Sequence, residues 1–317
     1  RSENPNSLTL HAGDATSGTL YFTLFEGEAD AALMNAVCFD AFVVGNHEFN
    51  NGDQGLVTFL DYLKEGNCQT PVLGANVQPE IGVSPLAKSS ADDYIQPYTI
   101  VERNGEKIGI IGIVISKKTK MSSNPDDNTM FLDEVSTAQK YTDELNSQGV
   151  DRVILLSHFG YENDLALAQK TSGIDIIVGG DSHSLLGDLS DLGLKPSGSY
   201  PTMVNDASGN DVCVVTAWQY SQIVGELHAE FDGQGNITSC MGTPHMMLAD
   251  SFKRKNADGE RVEIEEGYRD AVYSVIKVNP SLSIVEPDAD AQALLAGYSS
   301  KIDEFSSKII GSVSEDL

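Results

Sequence analysis

Four short polar clusters in this 317-residue chain each follow an apolar run, and their residue types are those that bind metal ions. They are Gly13-Asp14, Asn46-His47, His158, and Asp181 with His183 two residues on. Carboxylate oxygen, amide oxygen and imidazole nitrogen together suit zinc, manganese or a similar divalent ion. A carboxylate can bridge two ions, whereas a neutral amide or imidazole usually serves one. Taken singly, each cluster is weak: a lone histidine after a strand is more often structural, and Gly-Asp is common in turns. The weight lies in four clusters sharing one context, of which Gly45-Asn46-His47-Glu48 is far rarer than Gly-Asp. Their glycines permit tight turns and close backbone approach.

Such clusters need elements that bring them together. Short apolar runs at 8–11, 40–44, 71–75, 98–103, 107–115, 152–157, 174–178, 212–217 and 225–231 read as strands. Amphipathic stretches at 26–39, 54–65, 133–147 and 162–170 read as helices, the first with Ala29, Leu33, Ala36 and Val37 on one face. Asn104-Gly105 between two strands is a strong hairpin signal. This alternation argues for an α/β class with antiparallel additions. In open α/β sheets ligands gather at the carboxyl ends of strands, so the four clusters are expected to converge on one site. From residue 287 the pattern becomes one amphipathic helix, with Ala291, Leu294, Leu295, Tyr298, Ile302, Phe305 and Ile309 on a face and Gly311 at its end. It reads equally as a linker to something further on and as a cap on the domain.

Composition narrows the partners. Acidic residues number 47 against 20 basic ones, a formal net charge of −27. A field of that sign repels nucleic acid, which excludes a duplex-binding role. No apolar run approaches the roughly 18–20 residues of a membrane-spanning helix, so no transmembrane segment is expected. The four cysteines form no Cys-x-x-Cys pair, which argues against a zinc knuckle or a dithiol redox site. Sequence order suggests Cys38–Cys68 and Cys213–Cys240 disulfides in an oxidising compartment, with four buried free thiols as the alternative.

In order and spacing, five stretches resemble the catalytic domain of the 5′-nucleotidase family, within the calcineurin-like metallophosphoesterases. They are Ala12-Gly13-Asp14, Val44-Gly45-Asn46-His47-Glu48-Phe49-Asn50, Leu73-Gly74-Ala75-Asn76, Leu156-Ser157-His158-Phe159-Gly160 and Gly179-Gly180-Asp181-Ser182-His183-Ser184. The resemblance implies a four-layer α/β/β/α sandwich with mixed sheets and two divalent metal ions. It implies that Asp14 bridges the ions, that Asn46, His158 and Asp181 hold the second, and that His183 completes the first. His47 would stabilise the transition state or protonate the leaving oxygen, with Asn50 as its neighbour. The ions would polarise the phosphoryl group and supply a hydroxide. The implied division is a catalytic domain over 1–280, and a linker segment with helix over 281–317 leading to a nucleotide-gripping domain.

Three departures from the family pattern shape the functional expectation. The family's opening Asp-x-His, which gives the first metal two ligands, belongs before Gly13-Asp14 and is not in this sequence; it is expected in the intact protein. Aspartate stands at 181 where relatives often carry histidine, which shifts preference toward harder ions. Asn50 stands where many 5′-nucleotidases have an aspartate, and this resembles relatives acting on 2′,3′-cyclic nucleotides. The expected activity is phosphate release from nucleoside monophosphates outside the cytoplasm, in the periplasm, secreted or at the cell surface. The alternatives are a 2′,3′-cyclic nucleotide phosphodiesterase and a non-catalytic secreted binding or structural protein. His11, His228 and His245 match no family ligand and read as structural. Trp218 and Tyr220 read as core packing more readily than as a base pocket.

Overall fold

The computed structural model of the protein describes residues 4–308, so Ile309 and Gly311 of the expected terminal helix lie outside the described residues. The first part of the chain gives β1 (Leu10–His11), α1 (Leu20–Phe25), α2 (Glu28–Val37), β2 (Ala41–Val43), α3 (Gly52–Glu65), β3 (Val72–Leu73) and β4 (Val77–Pro79). Next come β5 (Tyr98–Arg103), β6 (Glu106–Val114), α4 (Ser116–Ser122), β7 (Thr129–Phe131), α5 (Glu134–Ser147), β8 (Val153–His158), α6 (Tyr161–Ala168) and β9 (Ile176–Gly179). The remainder is β10 (Thr202–Asn205), β11 (Asp211–Thr216), β12 (Ile223–Phe231), β13 (Ile237–Leu248), β14 (Lys253–Lys255), β15 (Arg261–Glu263), α7 (Glu266–Val278), β16 (Leu282–Ile284) and α8 (Ala289–Ser306).

Period-two burial sorts these elements into layers. β1, β2 and β3 form a parallel three-stranded sheet. A six-stranded sheet runs β10-β11-β9-β8-β6-β5, parallel in the middle with antiparallel strands at both edges. Alternate residues of the first sheet face opposite ways, as a pleat requires. Ala41 and Val43 pack with Ile110, Ile154, Leu156 and Ile176 between the two sheets. Phe42 and Val44 pack outward with Leu56, Phe59, Leu60 and Leu63 of α3 and with Ala31 and Met34 of α2. Across the larger sheet Ile111, Ile113, Leu155 and Ile177 meet Ala138 and Leu145 of α5 and Leu167 of α6. The result is the α/β/β/α sandwich with mixed sheets. Asn76 ties the two sheets at the functional end, donating through Nδ2 to the Val114 carbonyl at 2.8 Å and accepting from the Val114 N–H at 3.0 Å.

Several local expectations changed. The helix expected from residue 26 starts at Glu28, because Gly27 at φ +94° breaks it from α1, a short helix that was not anticipated. Asn104 and Gly105, at φ +53° and +79°, form the expected tight turn between β5 and β6. A third sheet, β12-β13-β16, was mostly unforeseen: only β12 was expected. Gly242 and Pro244 interrupt the apolar alternation of β13 and hid it. Both disulfides pair as sequence order suggested. Cys38–Cys68 joins the end of α2 to the segment after α3, and Cys213–Cys240 joins β11 to β13. Helix α8 packs back on α1 and α2: Tyr298 meets Phe25 edge-on at 4.9 Å, and the Tyr21 and Ser299 hydroxyls lie 2.7 Å apart. No helix among the described residues is long and apolar enough to cross a membrane.

Candidate metal centre

The site forms where parallel strands end together. Asp14 follows β1, Asn46 and His47 follow β2, His158 is the last residue of β8, and Asp181 follows β9. Two glycines let these loops close. A Cβ on Gly13, at φ +89°, would lie 2.5 Å from His158 Nδ1, and a Cβ on Gly45 would lie 2.3 Å from Asp14 Oδ1. Any side chain at either position would displace the site. Asp14, Asp181 and His183 are themselves left-handed, at φ +55°, +67° and +50°. Non-glycine residues hold that conformation only where the surroundings over-determine it.

For Asp14, Glu48 supplies much of that constraint. Buried at 4% exposure, its carboxylate accepts backbone N–H groups from Gly45 (2.6 Å), Asp14 (2.9 Å), Ala15 (2.7 Å) and Thr16 (3.2 Å). It therefore clamps the loop after β1 to the loop after β2. Burial and the charge of Asp14 push the Glu48 carboxyl above its ordinary range, while the backbone donors pull against them. The motif Gly45-Asn46-His47-Glu48 places Glu48 next to the site without assigning it a role. Its signal was a carboxylate in an apolar-flanked loop, which burial forces to find donors.

At the centre, Asp14 Oδ2 lies 3.0 Å from His158 Nε2, and Asp181 Oδ1 lies 3.7 Å from the same nitrogen. Asp14 Oδ1 accepts the His47 backbone N–H at 2.8 Å. The Ala12 carbonyl, 2.6 Å from His158 Nδ1, can only accept, so Nδ1 carries the proton and Nε2 presents its lone pair when the ring is neutral. That is the tautomer a metal ligand needs, held by a backbone oxygen behind it. Burial alone would lower the pKa of His158, but the contact and charge of Asp14 outweigh it and push it up to about 9. For Asp14, burial acts to raise its pKa, but the His158 contact and charge win and hold the carboxyl below its usual range. Both amide atoms of Asn46, a fully buried residue, are unpartnered.

Those orphaned atoms are the test of fit for a metal. A buried amide left unsatisfied in this way would cost roughly 1–3 kcal/mol for each group, unless something binds it. Among the described residues no group of three His, Cys, Asp or Glu side chains is arranged to hold an ion. The orphaned Asn46 amide lies outside those types, and Asp181 is engaged by Lys118 through its site-facing oxygen. The unpartnered Asn46 amide, with the carboxylate of Asp14 and the imidazole of His158, nonetheless has the donor chemistry that suits a divalent ion. His183 stands apart: it is exposed, its ring edge rests on Tyr220 at 5.3 Å, and no hydrogen bond or ion pair joins it to these donors. At the rim, Asn50 Nδ2 lies 2.9 Å from His47 Nδ1. An amide NH₂ only donates, so His47 keeps its proton on Nε2.

The remaining histidines contribute no donor to this centre, although His11 lies just behind it, its Nδ1 accepting the Gly13 N–H at 3.2 Å. His11 is packed edge-on to Phe39 and Phe42, and burial drops its pKa to about 4, which keeps it neutral. His228 and His245 both contact Glu226 on the surface. Tyr220 is 76% exposed, whereas Trp218 packs against the small core of Leu185, Leu189, Ile223 and Leu282. The expectation of core packing thus holds for Trp218 and fails for Tyr220, which the left-handed turn at 218–221 turns outward.

The sequence profile of the calcineurin-like phosphoesterases matches residues 1–185, more than half the chain. The chain belongs to that family. A probable 5′-nucleotidase of Treponema pallidum is 42% identical over 98% of this chain and 51% of its own length. An NAD 5′-nucleotidase of Haemophilus influenzae is 40% identical over 98% of the chain and 50% of its own. The solved structure of the Haemophilus influenzae NAD nucleotidase superposes with a TM-score of 0.89, covering 98% of this chain and 60% of that one. The chain spans about half the length of the curated relatives it matches. Membership in the calcineurin-like phosphoesterases implies divalent metal as the cofactor, in agreement with the unpartnered Asn46 amide.

Proposed function

We propose that the intact protein is a two-metal phosphomonoesterase that releases phosphate from nucleoside 5′-monophosphates. The observation that carries this reading is the buried, unpartnered Asn46 amide beside the paired Asp14 and His158. The names of its relatives, 5′-nucleotidase and NAD 5′-nucleotidase, support the nucleotide as substrate. In this reading Asp14, Asn46, His158 and Asp181 would hold one ion, and Asp14 would contribute to the other together with His183, whose ring would have to turn away from Tyr220 to reach it. The ions, zinc, manganese or similar, supply Lewis-acid polarisation and an acidic water. The rest belongs to the chain. Ala12 keeps His158 in its ligating tautomer, Glu48 fixes Asp14 against Asn46, and His47 directs an Nε2–H toward the ester's leaving oxygen. The domain division at 280 belongs to this proposal, with the segment over 281–317 leading to a nucleotide-gripping domain. So does residence outside the cytoplasm, which two disulfides support.

The Asn50–His47 contact favours one second reading, hydrolysis of 2′,3′-cyclic nucleotides, because an amide orients the ring without the negative charge an aspartate would bring. Phosphate release from AMP and from 2′,3′-cyclic AMP by the metal-loaded intact protein separates the two. Substituting His47→Ala is expected to lower the faster of these rates by about 10²–10⁴-fold. No bound divalent metal and no turnover of any phosphoester would defeat both readings and leave a non-catalytic binding protein.

A further inference from the structure

One cation enters the site without a place in the mechanism above. Lys118 lies on α4, in the loop region after β6, whose parallel neighbour β8 ends in His158. Its ammonium pairs with Asp181 Oδ1, and the two side chains are 40% and 10% exposed. The two oxygens of Asp181 face different surroundings. Oδ2 points at Gly160, where an added Cβ would lie 3.4 Å away, whereas Oδ1 faces His158 Nε2 at 3.7 Å. Lys118 therefore occupies the oxygen of Asp181 that faces the metal donors. A Lys ammonium is a compact, flexible point charge with three donors and no fixed geometry.

We infer that Lys118 is the anion-recognising residue of this site: it neutralises Asp181 before metal binds, yields that oxygen to the metal, and then hydrogen-bonds a phosphoryl oxygen of the substrate. The inference rests on the phosphoesterase reading of the site. Charge explains why this chain needs such a residue. With aspartate at 181, the donors Asp14 and Asp181 bring two carboxylates where an imidazole at 181 would leave one, so the site's field toward a phosphate dianion is weaker. A lysine tethered at the same rim restores one positive charge and, unlike a further ligand, remains free to move to the substrate. Two cations drawn to the same carboxylate oxygen repel each other, which displaces Lys118 toward the incoming anion.

Because Lys118 opposes metal and assists phosphate, its removal moves the two affinities in opposite directions. The test is calorimetry on the intact protein with two probes: Mn²⁺ added to metal-free protein, and inorganic phosphate added to Mn²⁺-loaded protein. In Lys118→Met, Mn²⁺ affinity is expected to rise by about threefold or more, since a competing cation is gone. Phosphate affinity is expected to fall about tenfold, the loss of one charge-assisted hydrogen bond. Lys118→Arg, which keeps the charge, should retain phosphate affinity within about threefold. Both affinities unchanged in Lys118→Met, or both falling together, would overturn the inference; the latter would make Lys118 a mere prop for Asp181. Phosphate is the probe instead of a nucleotide, so a wild-type protein that binds phosphate yet hydrolyses no nucleotide would defeat the functional reading and leave this comparison intact.

Discussion

At the scale of single residues, the site is held by groups that touch no substrate. Glu48 accepts four backbone N–H groups, and its removal would leave them buried and unpaired. Glu48→Ala is expected to lower folding stability by about 3–5 kcal/mol, read from urea unfolding of the metal-free protein. His158 makes stability depend on pH with a definite sign. Its pKa is raised from 6.5 to about 9 in the metal-free fold, so its stabilising contribution is complete below about 6.5 and is lost as pH rises through about 9. The unfolding midpoint of metal-free protein should therefore decline across that window, and His158→Gln should flatten the decline. The same protonation makes metal uptake at neutral pH expel a proton. Calorimetric heats of Mn²⁺ binding are expected to vary with the ionisation enthalpy of the buffer, and identical heats in phosphate-free buffers of differing enthalpy would contradict this.

Among elements, the closures tell how the sequence positions the site. The Cys38–Cys68 bond spans a separation of 30 residues and ties α2 to the far end of α3, the pair that backs β2. Removing it with Cys38→Ala and Cys68→Ala is expected to cost about 3 kcal/mol of stability, measured as a lower denaturation midpoint with the site's metal content unchanged. The strands leading to the site were legible because each is an apolar run closed by a glycine or a histidine. Glu134–Ser147 was legible because Asp133 caps it, its carboxylate accepting the Ser136 N–H at 2.9 Å. The third sheet was legible only in β12, because nearly all of β13 is exposed or half-buried and Gly242 and Pro244 break its alternation. Of the site, Asp14, Asn46, His47, Asn50, His158 and Asp181 were readable from motifs. Lys118 was not, since lysine on a short exposed helix has no pattern until the fold shows which carboxylate it reaches. Where His183 rests could not be read either: a motif fixes chain order, while the rotation of an exposed ring depends on the turn beside it.

Over the whole molecule, the charge of −27 acts on stability more than on architecture. Self-repulsion among like charges opposes the compact state, and salt screens it, with a Debye length of about 10 Å at 0.1 M and 3 Å at 1 M. Raising sodium chloride from low salt to 1 M is expected to raise the melting temperature, and an unchanged or falling value would show that paired charges dominate instead. The docking of α8 on α1 and α2 has a consequence in time. Tyr21 and Ser299, which meet across that contact, are separated by 278 residues. A ribosome adding about 5–20 residues per second needs roughly a quarter of a minute to a minute to make that stretch. Throughout that interval the ring of Phe25 lacks the Tyr298 ring that meets it in the finished fold. The growing polypeptide thus carries a greasy ring on its earliest helices that waits for α8 through nearly the whole making of this region.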